Sequence, residues 1–174
     1  MDRVEKIVSC FKEVGVSLRI DRFENRLIIQ KAVFLLELIG MKFDYNFSLY
    51  VRGPYSPDLA SELYAHEGKL HNMKPCPLSE SEKEKITRVY ELSNEFEPKI
   101  LEIMATYLFI WKVKGESVNE ALIHLKKLKP YPETQIVIGV SRAKQLLPPT
   151  ENEIREMKAE FKAWEDVSDS DAVY

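Results

Sequence analysis

Leu49-Tyr50-Val51-Arg52-Gly53-Pro54-Tyr55-Ser56-Pro57-Asp58-Leu59 runs an extended segment into a turn and then into a helix. Upstream, Tyr45, Phe47, Leu49 and Val51 alternate with Asn46, Ser48, Tyr50 and Arg52. That period of two marks a strand with one buried face. Gly53-Pro54 is a turn signal. Ser56 suits a helix N-cap, Pro57 the first helical position, and Asp58 the positive end of the helix dipole. Gly53, Pro54, Ser56 and Pro57 are therefore expected to build a rigid strand-to-helix junction. A lone strand needs a partner, and residues 70–78 are the expected source of one, pairing back onto 45–51.

Around this junction the pattern is helical. Val4, Ile7, Val8, Phe11 and Val14 recur at helical spacing and Gly15 is placed to stop that helix. Arg22 to Leu38 reads as a second helix, apolar around much of its circumference and closed by Gly40. A helix from Ser56 to about Glu67 follows. Ser79 with Glu82, Ser117 with Glu120 and Thr150 with Glu153 each form a capping box. The first is expected to open a helix to about Phe96, and the second one that ends before Pro130. The third opens a helix whose apolar stripe is Ile154, Met157, Phe161 and Trp164. Pro98 begins the most apolar stretch, Ile100 to Trp111, the expected central helix or else a homodimer face. Residues 133–146 read as helix despite the β-branched run Ile136-Val137-Ile138. The expected fold is mainly α: a compact multi-helix domain with a small antiparallel β-hairpin or ribbon. Residues 1–166 form a single domain, and 167–174 an acidic, disordered tail.

Composition sets limits on function. The chain has 174 residues, 45% of them apolar, enough for one sizeable core. A net charge of −3 argues against nonspecific nucleic-acid binding. Lysines gather at 112–129 and carboxylates at 151–171, two surfaces that could meet within one molecule or serve a partner. Two cysteines are too few for a disulfide framework. No charged leader or membrane-length apolar run stands out, so a cytoplasmic protein without a membrane partner is expected.

The chemistry is sparse. His66, His71 and Cys76 are zinc-ligand types at a spacing that fits no compact motif, so no metal is expected. Ser56 lacks the small flanking residues of a nucleophile elbow, and no catalytic residue or cofactor-binding loop is discernible. An anion at the helix start beside Arg52 is conceivable. Tyr50, Tyr55 and Arg52 have the composition of a binding hot spot, unless the tyrosines pack beneath a neighbouring helix. Lys126, Lys127 and Lys129 read as a solvated helix end.

Arg26-Leu27-Ile28-Ile29-Gln30-Lys31-Ala32-Val33-Phe34-Leu35-Leu36-Glu37, followed by Phe47 to Leu63 with Gly53-Pro54-Tyr55-Ser56, resembles a known family. It is similar to the Panacea-type antitoxin domains, formerly a domain of unknown function, and to their small prokaryotic YwgA-like relatives. The resemblance covers residues 22–65, and Arg52 stands where those proteins carry a tyrosine before the glycine. It implies a mostly helical protein, not an enzyme, that works by binding a partner protein, in many members a toxin. The matched positions are Gln30, Lys31, Gly53, Pro54, Tyr55 and Ser56, of which Gln30 and Lys31 join Tyr50, Arg52 and Tyr55 as candidate partner-binding residues. The alternative expectation is a winged-helix-like DNA-binding regulator.

Overall fold

The computed structural model describes residues 2–171, with side chains to residue 167. Eight α-helices and one two-stranded antiparallel sheet make up the described residues, a mainly α fold with a small hairpin. Helix α1 (Arg3–Glu13) starts where the Asp2 carboxylate accepts the Val4 N–H at 2.9 Å. Its Val4, Ile7, Val8 and Phe11 face inward, as their spacing requires. Helix α2 (Phe23–Leu38) is buried on several sides, and α5 (Pro98–Leu108) continues as a π-helical turn, Phe109–Val113. Every residue from Ile100 to Trp111 is buried. That stretch is core throughout, with nothing left over for a dimer face.

Helix α7 (Glu133–Leu146) lies directly on α5. Gly139 makes the approach possible, because a Cβ there would run into the Ile103 side chain. Burial of Ile136, Val140 and Ala143 against α5 overrides the local β preference of 136–140. Helices α4 (Glu80–Leu92) and α6 (Val118–Leu128) open with the two capping boxes, Ser79–Glu82 and Ser117–Glu120. Helix α8 (Glu151–Asp171) opens with the third, in which the Thr150 N–H donates to Glu153 at 2.7 Å. The expected disordered tail at 167–174 falls partly on this helix, which continues to Asp171. Residues 172–174 lie outside the described residues.

Two local expectations are corrected. Helix α4 ends at Leu92, not near Phe96, because Asn94, Glu95 and Phe96 all adopt left-handed φ angles of 54–61°. Such residues cost about 1–2 kcal/mol each. The compensation is Phe96, buried against Phe11 (5.1 Å between centroids) and edge-on to Tyr90 (5.0 Å).

The second correction concerns the junction. Strand β1 is short, Ser48–Tyr50, and its partner β2 is Gly53–Tyr55, so Gly53 and Pro54 are strand rather than turn. The chain reverses at Val51-Arg52, and Gly53 closes the loop at φ +86°. This is the geometry of a turn finished by a left-handed glycine. Residues 70–78 contribute only a 3₁₀ turn, Leu70–Asn72. Helix α3 (Pro57–Ala65) then begins at Ser56, whose Oγ accepts the Leu59 N–H at 3.4 Å.

Candidate functional site

A groove of about 430 Å³ opens between the first half of α2, the β1–β2 hairpin and α3. Its α2 wall is Phe23, Arg26, Leu27, Gln30 and Lys31, positions i, i+3, i+4, i+7 and i+8, which fall on one helical face. Ala60, Leu63 and Tyr64 form the α3 wall by the same rule, and Tyr50, Arg52 and Tyr55 come from the hairpin. Phe23, Tyr50 and Tyr64 are each more than half exposed. Tyr50 and Tyr55 meet edge to face at 5.3 Å, so the two tyrosines support one another rather than hiding under a helix.

Beneath this surface lies a polar clamp. The Gln30 side chain pairs with the Ser56 backbone in both directions: Nε2 donates to the Ser56 carbonyl at 3.0 Å, and Oε1 accepts the Ser56 N–H at 2.9 Å. Lys31 is only 2% exposed and donates from Nζ to the Pro54 carbonyl at 2.6 Å. Two neighbouring residues of α2 thus hold β2 and the start of α3 by main-chain groups, whose buried polar atoms must be satisfied. Gln30 and Lys31 sit under the hairpin, while Tyr50, Arg52 and Tyr55 face the groove. The Ser56 and Leu59 N–H groups are committed to Gln30 and Ser56, which leaves neither of them for an anion at this helix start.

Glu102 of α5, 2% exposed, is the centre of a second cluster. It accepts from Lys129 Nζ at 2.6 Å and from the Tyr131 hydroxyl at 2.5 Å. Lys129 Nζ also donates to the Val51 carbonyl at the hairpin tip. Lys129 is therefore buried rather than part of a solvated helix end, whereas Lys126 pairs outward with Glu133 at 2.7 Å. Arg52 reaches to within 3.8 Å of Glu102, and its guanidinium lies 5.7 Å from the centre of the Phe23 ring. Arg26 lies 6.0 Å from the same ring and donates to the Ile20 carbonyl at 2.7 Å.

The electrostatics of the site are lopsided. Arg26, Arg52 and Lys31 line the groove, and among the described residues no carboxylate, histidine or thiol does. Burial lowers the Lys31 ammonium from its ordinary 10.5 to about 8; Glu102 opposes the shift, and Lys129 and Arg52 add to it. Burial and the bond to Glu102 push the Tyr131 hydroxyl well above its usual range. The histidines lie elsewhere. His66 contacts the Glu62 carbonyl and Asp2, Cys76 meets Ser9, and among the described residues no three His, Cys, Asp or Glu side chains converge as metal ligands.

Sequence reasoning missed Glu102, Lys129 and Tyr131. Glu102 did leave a signal, as the one charge inside the apolar run 100–111. Such a group is rarely buried unless paired. Nothing local marks its partners, 27 and 29 residues away. No family model, curated protein or solved structure matches the chain.

Proposed function

We propose that this chain is a non-enzymatic protein-binding module whose working surface is the groove between α2, the hairpin and α3. The observation that supports it most is the grouping of exposed Phe23, Tyr50 and Tyr64 with Arg26 and Arg52 over a base hydrogen-bonded by Gln30 and Lys31. Aromatic and arginine side chains dominate binding energy where they are held rigidly around a pocket. The clamp by Gln30 and Lys31 supplies that rigidity at the hairpin. In this reading the protein acts in the cytoplasm on a protein partner, a toxin if the resemblance to Panacea-type antitoxins extends to function. The groove lining offers hydrogen-bond donors and no paired acid and base, which favours recognition over catalysis. A DNA-binding regulator is the weaker reading: the hairpin has three-residue strands and is tied down by α2 and Lys129 instead of projecting as a wing.

Affinity capture from a native lysate tests the reading, comparing the tagged wild type with Tyr50→Ala/Arg52→Gln. A stoichiometric protein retained by the wild type and lost in the variant, with melting temperatures within a few degrees, is the expected result. Capture that is insensitive to both substitutions, or duplex DNA in place of protein, overturns it.

A further inference from the structure

The groove is apolar in its walls and positive at its rim and base, and that combination specifies what it recognises. Arg26 and Arg52 approach the same exposed ring, that of Phe23, at 6.0 and 5.7 Å. Both positive charges therefore stand beside the Phe23 ring on the groove wall. Arg26 has a carbonyl as its hydrogen-bond acceptor, and Arg52 approaches a carboxylate only at 3.8 Å. That carboxylate, Glu102, is already bound by Lys129 and Tyr131. Below them, Lys31 donates to the Pro54 carbonyl, and among the described residues it forms no ion pair with a carboxylate. Around the base, Glu102 is the one carboxylate among the described residues that faces Lys31, Lys129 and Arg52, with Arg26 a further positive charge on the groove wall.

We propose that the groove takes a partner segment in which a carboxylate side chain stands beside a bulky apolar one. The carboxylate is held by the exposed guanidinium of Arg52, with Arg26 adding positive charge to the same wall, and the apolar side chain fills the space between Leu27, Leu63 and Tyr64. This deepens the protein-binding reading and rests on it for the identity of the occupant as a protein segment. The volume, about 430 Å³, suits one large side chain with its neighbours rather than a whole helix. Charge complementarity selects the acidic neighbour: the pocket desolvates a carboxylate but offers it planar, bidentate donors. A segment carrying lysine or arginine at that position meets three cations and is rejected.

The test uses two capped peptides, one with Asp beside Phe and one with Asn in place of the Asp, titrated into the full chain and followed by calorimetry and by backbone amide NMR. The expected result is saturable binding of the Asp peptide about tenfold or more tighter than the Asn peptide, the size of a charge-assisted hydrogen bond. Shifts should centre on residues 23–31, 50–55 and 60–64. In Arg26→Gln/Arg52→Gln the two peptides should bind equally, with the melting temperature and the amide spectrum outside the groove retained. Equal affinities for the wild type, or no binding of either peptide at millimolar concentration, overturn the proposal. The two readings fail separately. Loss of a captured partner in Tyr50→Ala/Arg52→Gln together with equal peptide affinities leaves the module and removes the carboxylate. Asp-peptide selectivity without any captured protein leaves the carboxylate site and removes the protein partner.

Discussion

Gly53 carries more constraint than any other residue of the hairpin. Its φ of +86° lies where a side chain is strained, and an added Cβ would strike Thr106 Oγ1. Thr106 is fully buried in α5, so the close packing around it limits how far its side chain can turn aside. Gly53→Ala is therefore expected to lose at least about 1–2 kcal/mol from the left-handed backbone alone, and more from the collision. Urea unfolding monitored by circular dichroism reads the loss, and a change under 0.5 kcal/mol, about the scatter of neutral surface substitutions, would show that the hairpin relaxes freely. Glu102 is the complementary case. Its burial in an apolar helix face is tolerated because Lys129 and Tyr131 satisfy it, and neither partner could be named from the residues around it.

At the scale of elements, the β1–β2 hairpin is stabilised less by its own few ladder bonds than by what holds it from below. A two-stranded ribbon of this length is marginal in water. Here Lys31, Gln30 and Lys129 fasten its main chain to α2 and to the segment after α6. Lys31 makes that dependence measurable through pH. Folding lowers its ammonium from 10.5 to about 8, with Arg52 from the hairpin, Glu102 from α5 and Lys129 beyond α6 facing it. Between those values the unfolded chain keeps a proton that the folded chain has released, so this group's contribution to stability rises with pH across the window. Below about pH 8 both states are protonated and the contribution is flat at its least favourable. Wild type measured against Lys31→Met by denaturant unfolding is expected to gain stability between pH 8 and 10. A parallel pair of curves would mean that Lys31 titrates as an ordinary lysine. The raised hydroxyls of Tyr45 and Tyr131 act in the opposite sense at higher pH, and the comparison with Lys31→Met cancels them.

Across the whole molecule, the core and the surface divide along different lines from those the composition implied. Residues 100–111, a candidate dimer face by their hydropathy, are wholly enclosed by α2, α6 and α7. Outside the groove, large apolar side chains are uncovered on α8, where Phe161 is 66% and Trp164 77% exposed. The start of α8 is held by Glu153, which accepts from Trp111 Nε1 at 2.8 Å and lies 3.3 Å from Lys112. The oppositely charged 112–129 and 151–171 regions do meet there. Among the described residues no helix is long and apolar enough to cross a membrane. If the chain pairs with itself, α8 is the surface to remove. Sedimentation of wild type and Trp164→Ser over a range of concentrations is expected to give a smaller or more readily dissociated species for the variant, with stability unchanged within about 0.5 kcal/mol. Identical sedimentation would place α8 outside any self-association.

The helical fold was legible because its signals are local. Three capping boxes, the stripe of α1 and the apolar length of α5 each fix an element within one or two turns of chain. The junction at 49–59 was legible as a rigid feature for the same reason. Its pairing was not, because whether Gly53-Pro54 turns or extends depends on how Lys31 and Gln30 grip the backbone from another helix. Strand alternation accounts for the exposed Tyr50, but not for Arg52 or Val51, which lie in the reversal, where Val51 is 89% exposed instead of facing inward with Leu49. The buried half of the site, Glu102 with Lys129 and Tyr131, depends on contacts across 27 and 29 residues that leave no periodic trace. Sequence alone determined which segments coil and which faces turn inward, since propensity and hydrophobic period act over a few residues. Only the tertiary structure decided which charges are buried together and where a groove is left open, because burial and charge pairing are properties of the packed chain.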